Sequence, residues 1–246
     1  MNRYQIIVEY VGTSFIGWQI QKKGNSVQKT LQSILCKLLG ENIKIHGSGR
    51  TDAGVHALEQ SAHFDCSQKI LNTKKFIKSL NFFLNKKNIS ILKIKKRDLN
   101  FHSRFSAKLR TYLYLIRNDI SPSMINYNRE WNIKKKLDLD LMKKGAKKLI
   151  GTHDFSTFRA SNCAAKSPIR TIRRIKIIHS KKQIKIRIES QSFLKSQVRS
   201  IVGSLKYLGE NKWDIKKFVR AFKSRKRTNC APLAPAHGLY LEKVIY

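Results

Sequence analysis

A chain of 246 residues is long enough for one large domain or two intimate halves with a substantial core, which excludes disorder throughout. Lys and Arg number 51 against 15 Asp and Glu, a formal charge of +36 that points to a phosphate-rich partner, nucleic acid before an acidic membrane surface. AT-rich codons account for part of the lysine excess but not for the scarcity of acids, since Glu has an AT-rich codon too. No apolar run approaches the roughly 20 residues of a spanning helix, so a cytoplasmic protein is expected. Cys36, Cys66, Cys163 and Cys230 lie far apart with no C-x-x-C pair, and are expected to be reduced and mostly buried, holding neither zinc nor disulfides.

In chain order, residues 4–10 alternate like a strand. Ser26 then precedes Val27, Leu31, Ile34, Leu35 and Leu38, the spacing of an amphipathic helix behind a cap. Strands are expected at 43–45 and 56–64 on either side of a glycine-rich loop at 47–54. A second helix follows around Phe76, Leu80 and Phe83, and then a strand at 89–94. This is the β-α-β-β-α-β order of a split βαβ unit, an α+β fold. The order recurs with a strand at 109–117, a helix at 139–150 ended by Gly151, and a hairpin of 172–178 with 184–188. Helices around 193–208 and 215–222 and a last strand at 239–244 complete it. Two related halves are expected, 1–106 and 107–246, the first carrying the glycine-rich loop. The Lys134, Lys135, Lys136 run near the middle of the chain reads as a solvated loop.

That loop holds the densest chemical signal, His46-Gly47-Ser48-Gly49-Arg50-Thr51-Asp52-Ala53-Gly54-Val55-His56. From spacing alone, a glycine-framed Asp more often caps a turn than catalyses. The whole string decides otherwise: G-R-T-D-A-G-V-H at 49–56 resembles, residue for residue, the signature of the tRNA pseudouridine synthase A family. The resemblance extends to Gly17-Trp18-Gln19, Ser26-Val27-Gln28, Phe101-His102-Ser103-Arg104-Phe105 before Tyr112, and Asp154-Phe155-Ser156-Thr157-Phe158-Arg159. It continues in Val198-Arg199-Ser200-Ile201-Val202-Gly203 and Gly238-Leu239-Tyr240-Leu241.

The resemblance implies two RRM-like α+β halves joined into one mixed, mostly antiparallel sheet with a central basic cleft, a homodimer, and no cofactor or metal. It implies isomerisation of uridines at positions 38, 39 and 40 of the tRNA anticodon stem-loop. It assigns Asp52 as nucleophile, Arg50 as the side chain filling the space of the extruded base, and Tyr112 as the ring against the uracil and the base. Arg199 becomes the partner of the carboxylate, and Leu239 packs near the uracil. The chain departs from the family at Lys195-Ser196-Gln197 and Ser200, which bears on helix packing and RNA contacts there.

The chemistry suits these residue types. Breaking the bond from N1 to the ribose and rejoining through C5 needs an ionised carboxylate, which a neighbouring Arg keeps charged, and a base drawn out of the stack. Read as a strand residue alone, Tyr112 is a packing aromatic. His56 and His63 read as structural, because a metal site needs three or more convergent ligands. The alternative is a non-catalytic RNA-binding protein, but a pure binder has no use for a carboxylate in its most basic groove and should show RNP aromatics, which are missing. An N-glycosidase or metal nuclease would need further carboxylates beside Asp52.

Overall fold

Tyr4, Ile6, Val8 and Tyr10 form the apolar phase of the first strand, and all four are buried in the computed structural model, which describes residues 1–246. The chain runs β1 (Asn2–Tyr10), α1 (Val27–Leu39), β2 (Ile45–Gly47), β3 (His56–Cys66), α2 (Thr73–Leu84) and β4 (Ile89–Arg97). It continues with β5 (Leu109–Asn118), β6 (Trp131–Ile133), α3 (Leu139–Lys147), β7 (Gly151–Asp154), β8 (Ile169–Ser180) and β9 (Gln183–Ser190), then α4 (Gln197–Gly209), α5 (Ile215–Lys223) and β10 (Leu239–Ile245). Two compact units result. Met1–Lys108 with Tyr240–Tyr246 form the first, and Leu109–Leu239 the second.

In the first unit β1 lies between β4 and β3, antiparallel to both, and β2 pairs antiparallel with β3. The order β4-β1-β3-β2 is that of a split βαβ unit. The last strand joins this sheet, parallel to β3 through the pairs Tyr240 with His56 and Leu241 with Ala57. Ser26 caps α1 by accepting from the Lys29 amide at 3.2 Å, and Asn72 caps α2 by accepting from the Lys75 amide at 2.9 Å. Both helices turn apolar stripes inward: Val27, Leu31, Ile34 and Leu35 from α1, Leu80 and Leu84 from α2. Burying each such side chain stabilises by about 1.5–3 kcal/mol.

The second unit repeats the kind of order, strand, helix, antiparallel strands, helix. β9 pairs antiparallel with β5 and with β8, and β8 with β7. The core helix is α4, with ten of its residues buried, packed against α3 and α5.

Several local expectations shift. The third helix ends at Lys147 rather than running to Gly151, because the amides of Lys148 and Leu149 reach back only three residues, to Gly145 and Ala146, and so tighten the last turn. Gly151, with φ 107°, opens β7 instead. α4 starts at Gln197, not near Phe193, since Ser196 is left-handed (φ 61°) and Leu194 donates its amide to Gln197 Oε1 at 2.8 Å. The sequence reading did not find β6 or β7. Of the four cysteines, all free, only Cys66 is buried, against the expectation that most are. No helix is long and apolar enough to cross a membrane.

Candidate active site

Asp52 and Arg50 sit in the first unit on the connection from β2 to β3, Arg50 exposed and Asp52 partly buried. This connection is held by its backbone. Thr51 O accepts from the Trp18 amide at 3.1 Å, Phe15 O accepts from the Gly54 amide at 3.3 Å, and the Val55 amide folds back on Asp52 O at 3.2 Å. Side chains add to this: Tyr10 Oη and Thr51 Oγ1 are 2.8 Å apart, and Gln60 donates to Gly49 O at 2.9 Å while its Oε1 accepts from Ser48 Oγ at 2.7 Å.

Two glycines allow the approach. At Gly17, φ is 112° and a Cβ would meet Thr51 O at 2.5 Å; at Gly12 it would meet Val55 O at 1.9 Å. Glycines 35 or more residues before Asp52 are thus what lets the first connection of the chain press against the Asp52 loop. At the loop's end, His56 Nδ1 accepts from the Gly12 amide at 3.0 Å, and its ring stacks on Tyr240 at 4.7 Å. His56 therefore anchors the loop. A carboxylate on so fixed a backbone is held in place, with little reorganisation left to do.

Tyr112, Arg199 and Leu239 belong to the second unit. Tyr112 lies on β5 opposite Ile188, 8% exposed, its ring edge-on to Phe193 at 5.1 Å. Arg199 occupies the first turn of α4; its Nε donates to Ala234 O at 2.8 Å, and Ala234 returns its amide to Arg199 O at 3.2 Å. Leu239 is buried just after the turn Ala236–Gly238. Tyr114, two residues along β5 from Tyr112, ties these parts together by donating from Oη to Pro235 O at 2.8 Å. The segment 232–239 thus bridges α4 and β5. Burial and the Arg199 charge push the His237 imidazole below its ordinary value.

At the replaced positions 195–197, Lys195 is exposed, whereas Gln197 is buried and turns Oε1 to the Leu194 amide, with Nε2 lacking an acceptor. That departure acts on helix packing. Sequence reasoning also missed the ring cluster of His46, His63 and His102, whose centroids lie 4.7–5.8 Å apart. His63 Nδ1 accepts the Ser103 amide at 3.2 Å. The three are spread over 57 residues of sequence, so no spacing signal could have grouped them. No group of three or more His, Cys, Asp or Glu side chains is placed to hold a metal ion.

Comparison with known proteins bears on the whole chain. The family profile described as tRNA pseudouridine synthase matches residues 6–106 and 146–246. A tRNA pseudouridine synthase A from Pelagibacter ubique (strain HTCC1062) is 61% identical over the full length of both chains. Proteins of the same name from Rhodopseudomonas palustris (strain BisA53) and Brucella ovis (strain ATCC 25840 / 63/290 / NCTC 10512) are 43% and 41% identical, over all of this chain and 100% and 98% of theirs.

Proposed function

The chain belongs to the tRNA pseudouridine synthase family, an isomerase of tRNA uridine, and from that premise we propose that it acts at positions 38, 39 and 40 of the anticodon stem-loop with Asp52 as nucleophile. The observation that carries this reading is the intact Gly49 to His56 signature on a loop whose backbone is pinned on both sides of the carboxylate.

The reaction is redox-neutral. The bond from N1 to C1′ breaks, the uracil turns, C5 joins C1′, and the C5 proton leaves while N1 takes one up. Asp52 opens the sequence by attacking the ribose or the ring or by withdrawing a ribose proton, and Arg199 is the partner of its carboxylate. Tyr112 stacks on the uracil and its phenol assists removal of the C5 proton. Arg50, exposed at the tip of the loop, fills the gap the extruded base leaves in the stem, and Leu239 supports the uracil. The excess of 51 basic over 15 acidic residues supports a substrate read through its phosphates. The enzyme works as a cytoplasmic homodimer.

The test is the nearly isosteric Asp52→Asn variant on one unmodified tRNA tritiated at uracil C5, under single-turnover conditions with binding measured in parallel. Tritium release should fall by at least about a thousandfold while binding holds or tightens slightly. Turnover near the parent rate would mean that Asp52 only caps its turn, since the amide oxygen still accepts that bond. Absence of release by the parent on several folded tRNAs would leave only an RNA-binding role.

A further inference from the structure

The string Phe101-His102-Ser103-Arg104-Phe105 has no place in the chemistry above. It follows β4 within the first unit, where it is bonded to three strands. From β1, Arg3 donates Nη1 to Phe101 O at 2.8 Å. On β2, His46 O accepts from Ser103 Oγ at 2.6 Å, and on β3, His63 Nδ1 accepts from the Ser103 amide. Tyr246 Oη adds a bond to Ser103 O at 2.8 Å. The turn closes on itself as the Ser106 amide donates to His102 O at 2.9 Å and the His102 amide to Ser106 Oγ at 3.0 Å.

On this fixed segment Phe105 stands 74% exposed, so at least one face of its ring is open to solvent. A lone exposed aromatic says little. Phe105, however, ends a row of flat rings. The His102 ring centre lies 4.4 Å from it, and that of His46, exposed on β2, lies 5.8 Å from His102, both separations at which rings attract. His102 is fixed as well, because its Nδ1 accepts from the Arg104 amide at 3.1 Å.

Each end of the string carries a cation against a ring. The Arg104 guanidinium lies 5.4 Å from the centre of Phe105, and that of Arg97 lies 4.7 Å from the centre of Phe101. Asp65, two residues along β3 from His63, is paired with Arg3 at 2.7 Å. An open ring face with a guanidinium beside it is a platform on which a nucleobase stacks while its phosphate stays near a positive charge. A paired base hides both faces in its helix, so the occupant is an unpaired nucleotide. A ring already held in place costs little to order on binding. His46 stands six residues before Asp52, a stretch of chain that spans at most about 22 Å, so the row starts close to the Asp52 loop.

We propose that Phe105, backed by His102 and flanked by Arg104, stacks on an unpaired base of the tRNA near the target uridine. The inference rests on the tRNA reading above and extends it to residues that reading does not use. Stacking at this point fixes where a neighbouring nucleotide lies relative to the Asp52 loop, and so contributes to choosing which uridine reaches the carboxylate.

The test compares Phe105→Ala and Phe105→Trp with the parent in binding a full-length unmodified tRNA transcript and a blunt RNA duplex. An exposed ring contributes little to the core, so both variants should fold. Phe105→Ala should weaken tRNA binding by between about five- and 150-fold, the worth of one stacked base, and leave duplex binding as in the parent. The slope of log affinity against log salt should stay at the parent value, because no phosphate contact is lost. Phe105→Trp should recover the affinity, and its added indole should be quenched by tRNA beyond the quenching of the parent's three tryptophans. Parent affinity in Phe105→Ala, an equal loss on the duplex, a lowered salt slope, or no recovery in Phe105→Trp each overturns the proposal. So does a change in sedimentation of Phe105→Ala at unchanged tRNA affinity, which would assign the ring to a second copy of the chain. Tritium release by the parent is assayed alongside. An inactive parent discredits the pseudouridine reading whatever the Phe105 variants do, whereas an active parent with unchanged Phe105→Ala affinity removes only the stacking site.

Discussion

Tyr112 stands edge-on to Phe193 on a strand, so its ring is fixed by packing whatever its hydroxyl does. Tyr112→Phe keeps that packing and removes the hydroxyl proposed to assist proton removal. It should bind tRNA like the parent and lose roughly 100-fold or more in the single-turnover rate, while Tyr112→Ala loses binding as well. An unchanged rate for Tyr112→Phe would reduce the residue to stacking. His63 illustrates a different residue-scale effect. Burial, with smaller contributions from His102, Arg3 and His46 against an opposing one from Asp65, lowers its imidazole to about 4. Nδ1 accepts from the Ser103 amide at 3.2 Å and lies 2.9 Å from Ser103 Oγ, which donates to His46 O. The folded protein therefore holds His63 neutral while the unfolded chain, with an ordinary histidine, takes up the proton first. The stability this provides is present above about pH 6.5 and is lost as pH falls toward 4, by at most about 3 kcal/mol. Melting temperature should drop over that window, and His63→Gln should flatten the drop. An equal drop in the variant would assign it to other groups.

The loop from β2 to β3 carries Asp52, and its shape is maintained from outside by the chain around Gly12 and Gly17. Gly17→Ala places a methyl group 2.5 Å from Thr51 O at a φ of 112°, and the atom it meets is backbone, so relief requires the chain at Gly17 or the Asp52 loop to move. The strained conformation alone costs about 1–3 kcal/mol. Activity should fall further than this stability loss explains: assayed well below its melting temperature, the variant should retain its fold and lose most of its turnover. Full activity under those conditions would show that the loop does not need its support. Glycine in a turn is readable from sequence, but a requirement 34 residues away is not, because only the folded backbone brings Gly17 to Thr51.

Across the whole molecule, basic residues outnumber acids by more than three to one, and the few ion pairs, such as Arg3 with Asp65 at 2.7 Å, leave most lysines without an acidic partner. A substrate held through phosphates releases counterions on binding. tRNA affinity should therefore fall by roughly two to four orders of magnitude between about 50 and 200 mM salt. A flat response would contradict a phosphate-based grip.

The sequence by itself determined the α+β class, the repeated order of elements, the capped helix at Ser26 and the Asp52 loop, because periodicity, capping and a contiguous eight-residue signature are local properties of a chain. It did not reveal β6, a three-residue strand that pairs parallel to β5, nor the pairing of β10 with β3, which returns the last residues of the chain to the first unit. Nor could it show that His56 anchors a loop or that three histidines spread over 57 residues share one cluster. Those facts depend on contacts between residues distant in the chain, and such contacts leave no periodic trace in a single sequence. Only the tertiary packing decided them.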